Sequence, residues 1–169
     1  MMAIAERINS LSDPVAQQLL CQCCASPKWI ERMLARRPFA DDGMVAATAT
    51  EVWWSLDRDQ WFASFAAHPK IGDLASLRAK YANSARWASS EQAGAALASE
   101  ATLRDLASYN QQYETRFGYI FIVCATGKSA DEMLSLLKLR LKNDTVAELR
   151  IAAAEQIKIT LLRLEKLAV

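Results

Sequence analysis

Apolar residues recur along this chain at intervals of three and four, and the breaks between runs carry capping residues, proline or glycine. Ser12-Asp13-Pro14 is a helix start with proline in the first turn, and it predicts a helix to about Cys24. After Pro27, residues 28–36 place Trp29, Ile30, Met33 and Leu34 on one face, and Arg37-Pro38 ends that helix. Residues 44–56 and 59–67 predict two more helices, with Trp53, Trp54, Trp61, Phe62 and Phe65 read as mostly core. The second of these stops at His68-Pro69, because a residue before proline is disfavoured in helical geometry.

The pattern weakens over residues 71–87, after which Ser89-Ser90-Glu91-Gln92 forms a capping box opening a long helix to about Arg116. Phe117-Gly118 breaks that helix. The apolar run 119–124 fits either a buried extended segment or a buried helical turn, and we read it as a buried linker. Ser129-Ala130-Asp131-Glu132 is a second capping box, starting a helix to about Leu141. Asn143-Asp144 caps a last helix to about Leu167, with Ile151, Ala154, Ile157, Leu161 and Leu164 at helical spacing. The expected architecture is all-α: a single-domain bundle of about seven or eight helices over residues 1–169.

Composition narrows the function classes. The 52% hydrophobic content, with only 5 Gly and 4 Pro, belongs to a helix-biased globular chain. Twenty basic and nineteen acidic residues leave a net charge of +1 with the signs interspersed, so no nucleic-acid partner is expected. The basic clusters Arg36-Arg37 and 138–142 are short, mixed with apolar residues, and read as solvated helix faces. Residues 1–10 lack an apolar stretch with a cleavage site, and the longest apolar run, 119–125, is far below the span of a bilayer. The expectation is a chain that is mature as it stands, cytoplasmic, with no membrane partner. Cys21, Cys23 and Cys24 crowd into one turn far from the lone histidine, so no metal site is expected and the thiols read as reduced core packing.

Two residues invite chemistry. His68 is the single histidine and opens the loop His68-Pro69-Lys70-Ile71-Gly72-Asp73, where proline and glycine specify an irregular backbone after a helix. Glu91 falls in the first turn of its predicted helix, where backbone N–H groups favour a carboxylate. A fixed carboxylate near an imidazole stabilises the charged ring and sets its tautomer, as acid/base work near neutral pH requires. Taken alone, Glu91 also fits a plain helix-start role. No nucleophile elbow, phosphate loop or zinc-protease motif is present, and Cys124 lies within an apolar run where burial would leave it inert.

Motifs along nearly the whole chain carry a family resemblance. They are Trp29 with Arg37-Pro38-Phe39, the His68-to-Asp73 string, Trp87 with Glu91-Gln92-Ala93-Gly94, Tyr113, and Phe117-Gly118 with the apolar segment to Cys124-Ala125. Arg140-Leu141, Asn143, Glu148, Glu155, Ile159 and Arg163-Leu164 complete them. In this order they resemble 2-oxo-4-hydroxy-4-carboxy-5-ureidoimidazoline (OHCU) decarboxylases, which make (S)-allantoin in urate degradation. The resemblance implies an all-helical, homodimeric decarboxylase that needs no cofactor, acting on a small ureidoimidazoline. By that analogy His68 is the proton donor, Glu91 its charged partner, and Pro69 part of the pocket wall. Ala88, Ser89 and Gln92, together with Tyr119, Ile120, Phe121, Ile122 and Val123, would bind ring and ureido groups through their backbone, and Arg163 would bind a carboxylate or ring oxygen. Ala88 stands where many relatives carry serine, and residues 118–121 replace a Phe-Pro variant. An amidohydrolase and a helical interaction module are the competing readings; an interaction module would tolerate replacement of His68.

Overall fold

In the computed structural model the described residues are 2–69, 74–85 and 93–168, with side chains described over 2–69, 74–81 and 100–168. Among them run nine helices: α1 (Ile4–Ser10), α2 (Asp13–Cys23), α3 (Pro27–Ala35), α4 (Asp42–Trp54), α5 (Arg58–Ala66), α6 (Leu74–Ala85), α7 (Ala93–Phe117), α8 (Ala130–Arg140) and α9 (Thr145–Glu165). No strand occurs among the described residues. The all-α reading holds, and the helices beyond those foreseen are α1 and α6.

Two compact units divide the chain. The first comprises Met1–His68, Ile122–Cys124 and Ile151–Val169; the second comprises Pro69–Phe121 and Ala125–Arg150.

In the first unit α3 packs on α2, α4 and α5, and α1 packs on α4. Side-chain oxygens at the helix starts satisfy first-turn N–H groups: Ser26 accepts from Trp29, Asp41 from Met44, and Asp57 from Gln60. Trp29, Trp53 and Trp61 pack in this unit with their indole N–H groups paired with backbone. Trp29 donates to the Ala49 carbonyl at 3.0 Å, Trp53 to Ala153 at 2.9 Å, and Trp61 to Trp53 at 3.1 Å. Each buried ring contributes on the order of 2–3 kcal/mol of apolar transfer while its polar handle stays bonded. Trp54 is an exception to the core reading: it is exposed and meets Trp61 edge-on at 5.7 Å.

Helix α1 is too short to stand by its own hydrogen bonds. Burial of Ile4, Ala5 and Ile8 holds it, with Ala5 N–H donating to Asp42 at 2.8 Å and Asn9 exchanging two bonds with the Phe39 backbone. Arg37 reaches its C-terminal end, donating to the carbonyls of Ile8 and Leu11 at 3.0 and 2.9 Å and pairing with Asp13. Arg37 is therefore a largely buried clamp rather than part of a solvated face, because helix-end carbonyls need donors.

In the second unit α7 packs on α6 and α8. The capping box at Ser129 forms as expected: Ser129 Oγ accepts from Glu132 N–H at 3.2 Å and Glu132 Oε2 accepts from Ser129 N–H at 2.7 Å. The capping box expected at Ser89 lies outside the described residues. Helix α6 occupies the stretch where the periodicity fades; it buries Leu77 and ties Arg78 to Glu100 of α7 through a forked ion pair. Gly118 ends α7 at φ 81, the left-handed conformation that glycine adopts without strain, and its N–H returns to the Glu114 carbonyl at 2.8 Å.

Arg140, read from sequence as part of a basic surface cluster, is buried as well. Its Nε donates to Glu148 Oε1 at 2.8 Å and its Nη2 sits 2.5 Å from the same oxygen. Asn143 donates to Glu148 Oε2 at 2.9 Å, and the Tyr113 hydroxyl donates to Oε1. Glu148 is thus a wholly buried carboxylate with every oxygen engaged. Removing it strands a buried guanidinium, so Glu148→Ala should lower unfolding free energy by about 3–5 kcal/mol in urea denaturation. A loss below about 1 kcal/mol would show that the network does not hold this unit together.

Candidate active site

His68 follows the last turn of α5, where its N–H bonds the Phe65 carbonyl at 3.2 Å before Pro69 ends the helical path. The ring is half-buried, and its Nε2 lies 2.5 Å from Gln156 Oε1 on α9. Gln156 is itself fixed: its amide nitrogen donates to Thr160 Oγ1 at 3.2 Å, and Thr160 donates to the Gln156 carbonyl at 3.1 Å. Both Gln156 and Thr160 have no solvent exposure.

A cavity of about 220 Å³ opens against the ring, lined by Cys21, Gln22, Ala25, Ser64, Ala67, His68 and Arg163, all within the first unit. Arg163 enters from α9 and rests its Nη1 on the Gln22 and Cys23 carbonyls at 3.5 and 3.4 Å, at the C-terminal end of α2. A cation is favoured there by the helix dipole. The site thus places a guanidinium beside an imidazole, inside a small recess.

The surroundings of the ring disfavour its charged form. Burial is the largest effect pushing the His68 pKa below 6.5; the Gln156 bond opposes it in part, and the positive Arg163 lowers it further. Burial also pushes the Cys23 thiol up to about 11, moderated by Arg163, and raises Cys24, whose Sγ lies 3.4 Å from Ser64 Oγ. Both stay protonated near neutral pH, and among the described lining residues the imidazole is the side chain whose ordinary range lies nearest neutrality.

The structure brings together two of the residues expected from sequence, His68 and Arg163. Pro69 is exposed. Ala88, Ser89, Glu91 and Gln92 lie outside the described residues. Tyr119, Ile120 and Phe121 belong to the second unit as a half-buried linker, with Tyr119 and Phe121 packed on Tyr113 at 5.9 and 5.2 Å and the Arg140 guanidinium 4.5 Å from the Phe121 ring. Ile122 and Val123 belong to the first unit, where the adjoining Cys124 N–H donates to Glu155 Oε2 on α9 at 2.8 Å. Among the described residues no cluster of three or more His, Cys, Asp or Glu could hold a metal ion, and no helix is long and apolar enough to cross a membrane.

Gln156 and Thr160 were not foreseen. The buried face of α9 runs through Ala152, Ala153, Gln156, Ile157, Thr160 and Leu164, whereas Ile151 of the expected stripe is exposed. The signal available in the sequence was a polar pair spaced by four residues within an otherwise apolar helix, able to bond to itself when buried.

A model of the OHCU decarboxylase family matches residues 9–165, through both units. The chain belongs to the OHCU decarboxylase family. Curated relatives include the uric acid degradation bifunctional protein TTL of Arabidopsis thaliana, 37% identical over 86% of this chain and 45% of that protein. The 2-oxo-4-hydroxy-4-carboxy-5-ureidoimidazoline decarboxylase of Amia calva is 29% identical over 86% of this chain and 79% of its own length. The chain therefore spans less than half of the Arabidopsis protein and most of the Amia one. A crystal structure of OHCU decarboxylase in the presence of (S)-allantoin superposes with a TM-score of 0.71 at 33% identity, covering 93% of this chain and 98% of that one. An (S)-allantoin synthase structure, at 18% identity and TM-score 0.70, shares the fold over 97% of this chain and 54% of its own.

The lowered pKa of His68 is open to measurement. Because its folded pKa is depressed, His68 contributes stability that is fully present above the unfolded value of 6.5 and is lost as pH falls below it. As the chain holds one histidine, a single ring signal should titrate by NMR with a midpoint below 6.5. A midpoint at or above that value would contradict the burial argument.

Proposed function

We propose that this chain decarboxylates 2-oxo-4-hydroxy-4-carboxy-5-ureidoimidazoline to (S)-allantoin and CO2, as a cofactor-independent step of urate degradation. The observation that carries the reading is the imidazole of His68 and the guanidinium of Arg163 lining one recess. The family match through residues 9–165 supports treating 1–169 as one functional domain. A cytoplasmic homodimer acting on a small molecule completes the proposal, on the strength of the family resemblance.

The substrate's own ring supplies the electron sink. When the bond from C4 to its carboxylate breaks, the electron pair moves toward the adjoining C=N bond, and that ring nitrogen takes a proton. The resulting enol loses its hydroxyl proton and gains one on carbon, so one proton is consumed overall as CO2 leaves. The protein has to bind an anion, move protons at defined atoms and present one face of the enol. Arg163 carries five donors in a planar fork suited to a carboxylate or ring oxygen. His68, neutral at rest, takes a proton from the substrate and returns it as an acid. Glu91 stabilises the charged ring between those events, and the backbone of Ala88, Ser89, Gln92 and residues 119–123 binds the ring and ureido groups beside Pro69.

The test supplies urate, urate oxidase and 5-hydroxyisourate hydrolase and follows circular dichroism with and without this protein. (S)-Allantoin should form faster than spontaneous decay and with chirality; no gain in either sinks the assignment. His68→Ala should lower turnover by about 10²–10⁴-fold with the fold intact. Glu91→Gln should lower turnover and move the His68 midpoint further down, whereas an unchanged midpoint would leave Glu91 as a helix-start residue only.

A further inference from the structure

Gln156 has no place in the reaction as described, yet it makes the hydrogen bond to the ring that does the proton transfer. We infer that Gln156, oriented by Thr160, is a positioning residue that fixes His68 as the Nε2–H tautomer, so that Nδ1 is the nitrogen exchanging protons with substrate. The inference deepens the proposed reaction and rests on His68 being its acid/base group.

The argument follows the protons. The Thr160 hydroxyl has a single hydrogen, and it lies 3.1 Å from the Gln156 backbone carbonyl one turn earlier, the usual acceptor for a helical threonine. Spent there or on the neighbouring Cys24 sulfur, the hydroxyl faces the Gln156 side chain as an acceptor, at 3.2 Å. Only the amide nitrogen of Gln156 can donate to it, which turns Oε1 toward His68 Nε2 at 2.5 Å. A carbonyl oxygen cannot donate, so Nε2 must carry the hydrogen. In the neutral ring that leaves the lone pair on Nδ1.

Burial makes this orientation costly to reverse. A flipped amide would point its nitrogen at the ring and its oxygen at Thr160, whose hydrogen would then have to leave the helix carbonyl. With both residues at no solvent exposure, water does not compensate the loss. The choice of an amide also has a chemical consequence. Gln156 Oε1 accepts from Nε2–H whether or not Nδ1 is protonated, and it adds no negative charge. The ring is thus held in place through both halves of the proton cycle without being locked in its charged form.

Nitrogen-15 NMR reads the tautomer directly, because the chain contains one histidine. In the wild-type protein at a pH above the His68 midpoint, Nε2 should show the shift of a protonated nitrogen with a slowly exchanging hydrogen, and Nδ1 the shift of a bare one. An Nδ1–H tautomer overturns the inference whatever the activity. Gln156→Met keeps the length but not the acceptor; it should lower kcat about 10–100-fold with KM changed less than about threefold, and speed exchange of the Nε2 hydrogen. Thr160→Val should show the same effects more weakly, and Thr160→Ser should restore wild-type values. Unchanged kcat in Gln156→Met, or equal losses in the Val and Ser variants of Thr160, would overturn the positioning role. Should His68→Ala retain full turnover while the tautomer is as expected, the proposed reaction role fails and the tautomer assignment stands.

Discussion

Polar side chains on the buried face of α9 must find partners inside the protein, and much of the structure is arranged around that requirement. Glu148 has no exposure, and it gathers Tyr113 from α7, Arg140 from α8 and Asn143 from the turn between α8 and α9. Two turns further along, Gln156 and Thr160 are equally buried and reach His68 after α5. An unpaired polar group in either place would lose more than a hydrogen bond contributes, so each partner is specified rather than optional.

The two ends of α9 use this constraint differently. Around Glu148 the charges neutralise one another, and the aromatic rings of Tyr113, Phe117, Tyr119 and Phe121 pack about them, which defines the path of the chain as it leaves α7. Around Gln156 the contacts are neutral and leave the imidazole able to change its charge. Arg163, one turn beyond Thr160, brings a cation to the recess and is steadied by the carbonyls at the end of α2. One helix thus carries a buried carboxylate, a neutral hydrogen-bonded pair and a guanidinium.

The residues that carry the family resemblance divide accordingly. His68 and Arg163 line the recess of the first unit, whereas Tyr113, Arg140, Asn143 and Glu148 form a hydrogen-bonded network within the second. Glu155 belongs to a third role, holding the linker at the Cys124 N–H while paired with Lys158. A motif list alone weighs these positions equally; burial and hydrogen bonding separate them.

The sequence by itself determined the helical class and most helix limits, because capping residues, proline and glycine are local signals, and it singled out His68 as the one imidazole. It did not reveal α1 or α6, whose short or weakly patterned stretches are stabilised by contacts from elsewhere, such as Asp42 on Ala5 and Glu100 on Arg78. It misplaced Arg37 and Arg140 on the surface, since a charge looks solvated until its buried partners are known. Only the tertiary structure decided which face of α9 is buried, that Gln156 meets His68 across 88 positions of sequence, and that burial disfavours the charged ring. Those properties depend on which groups burial forces together, and no local pattern of residues records that.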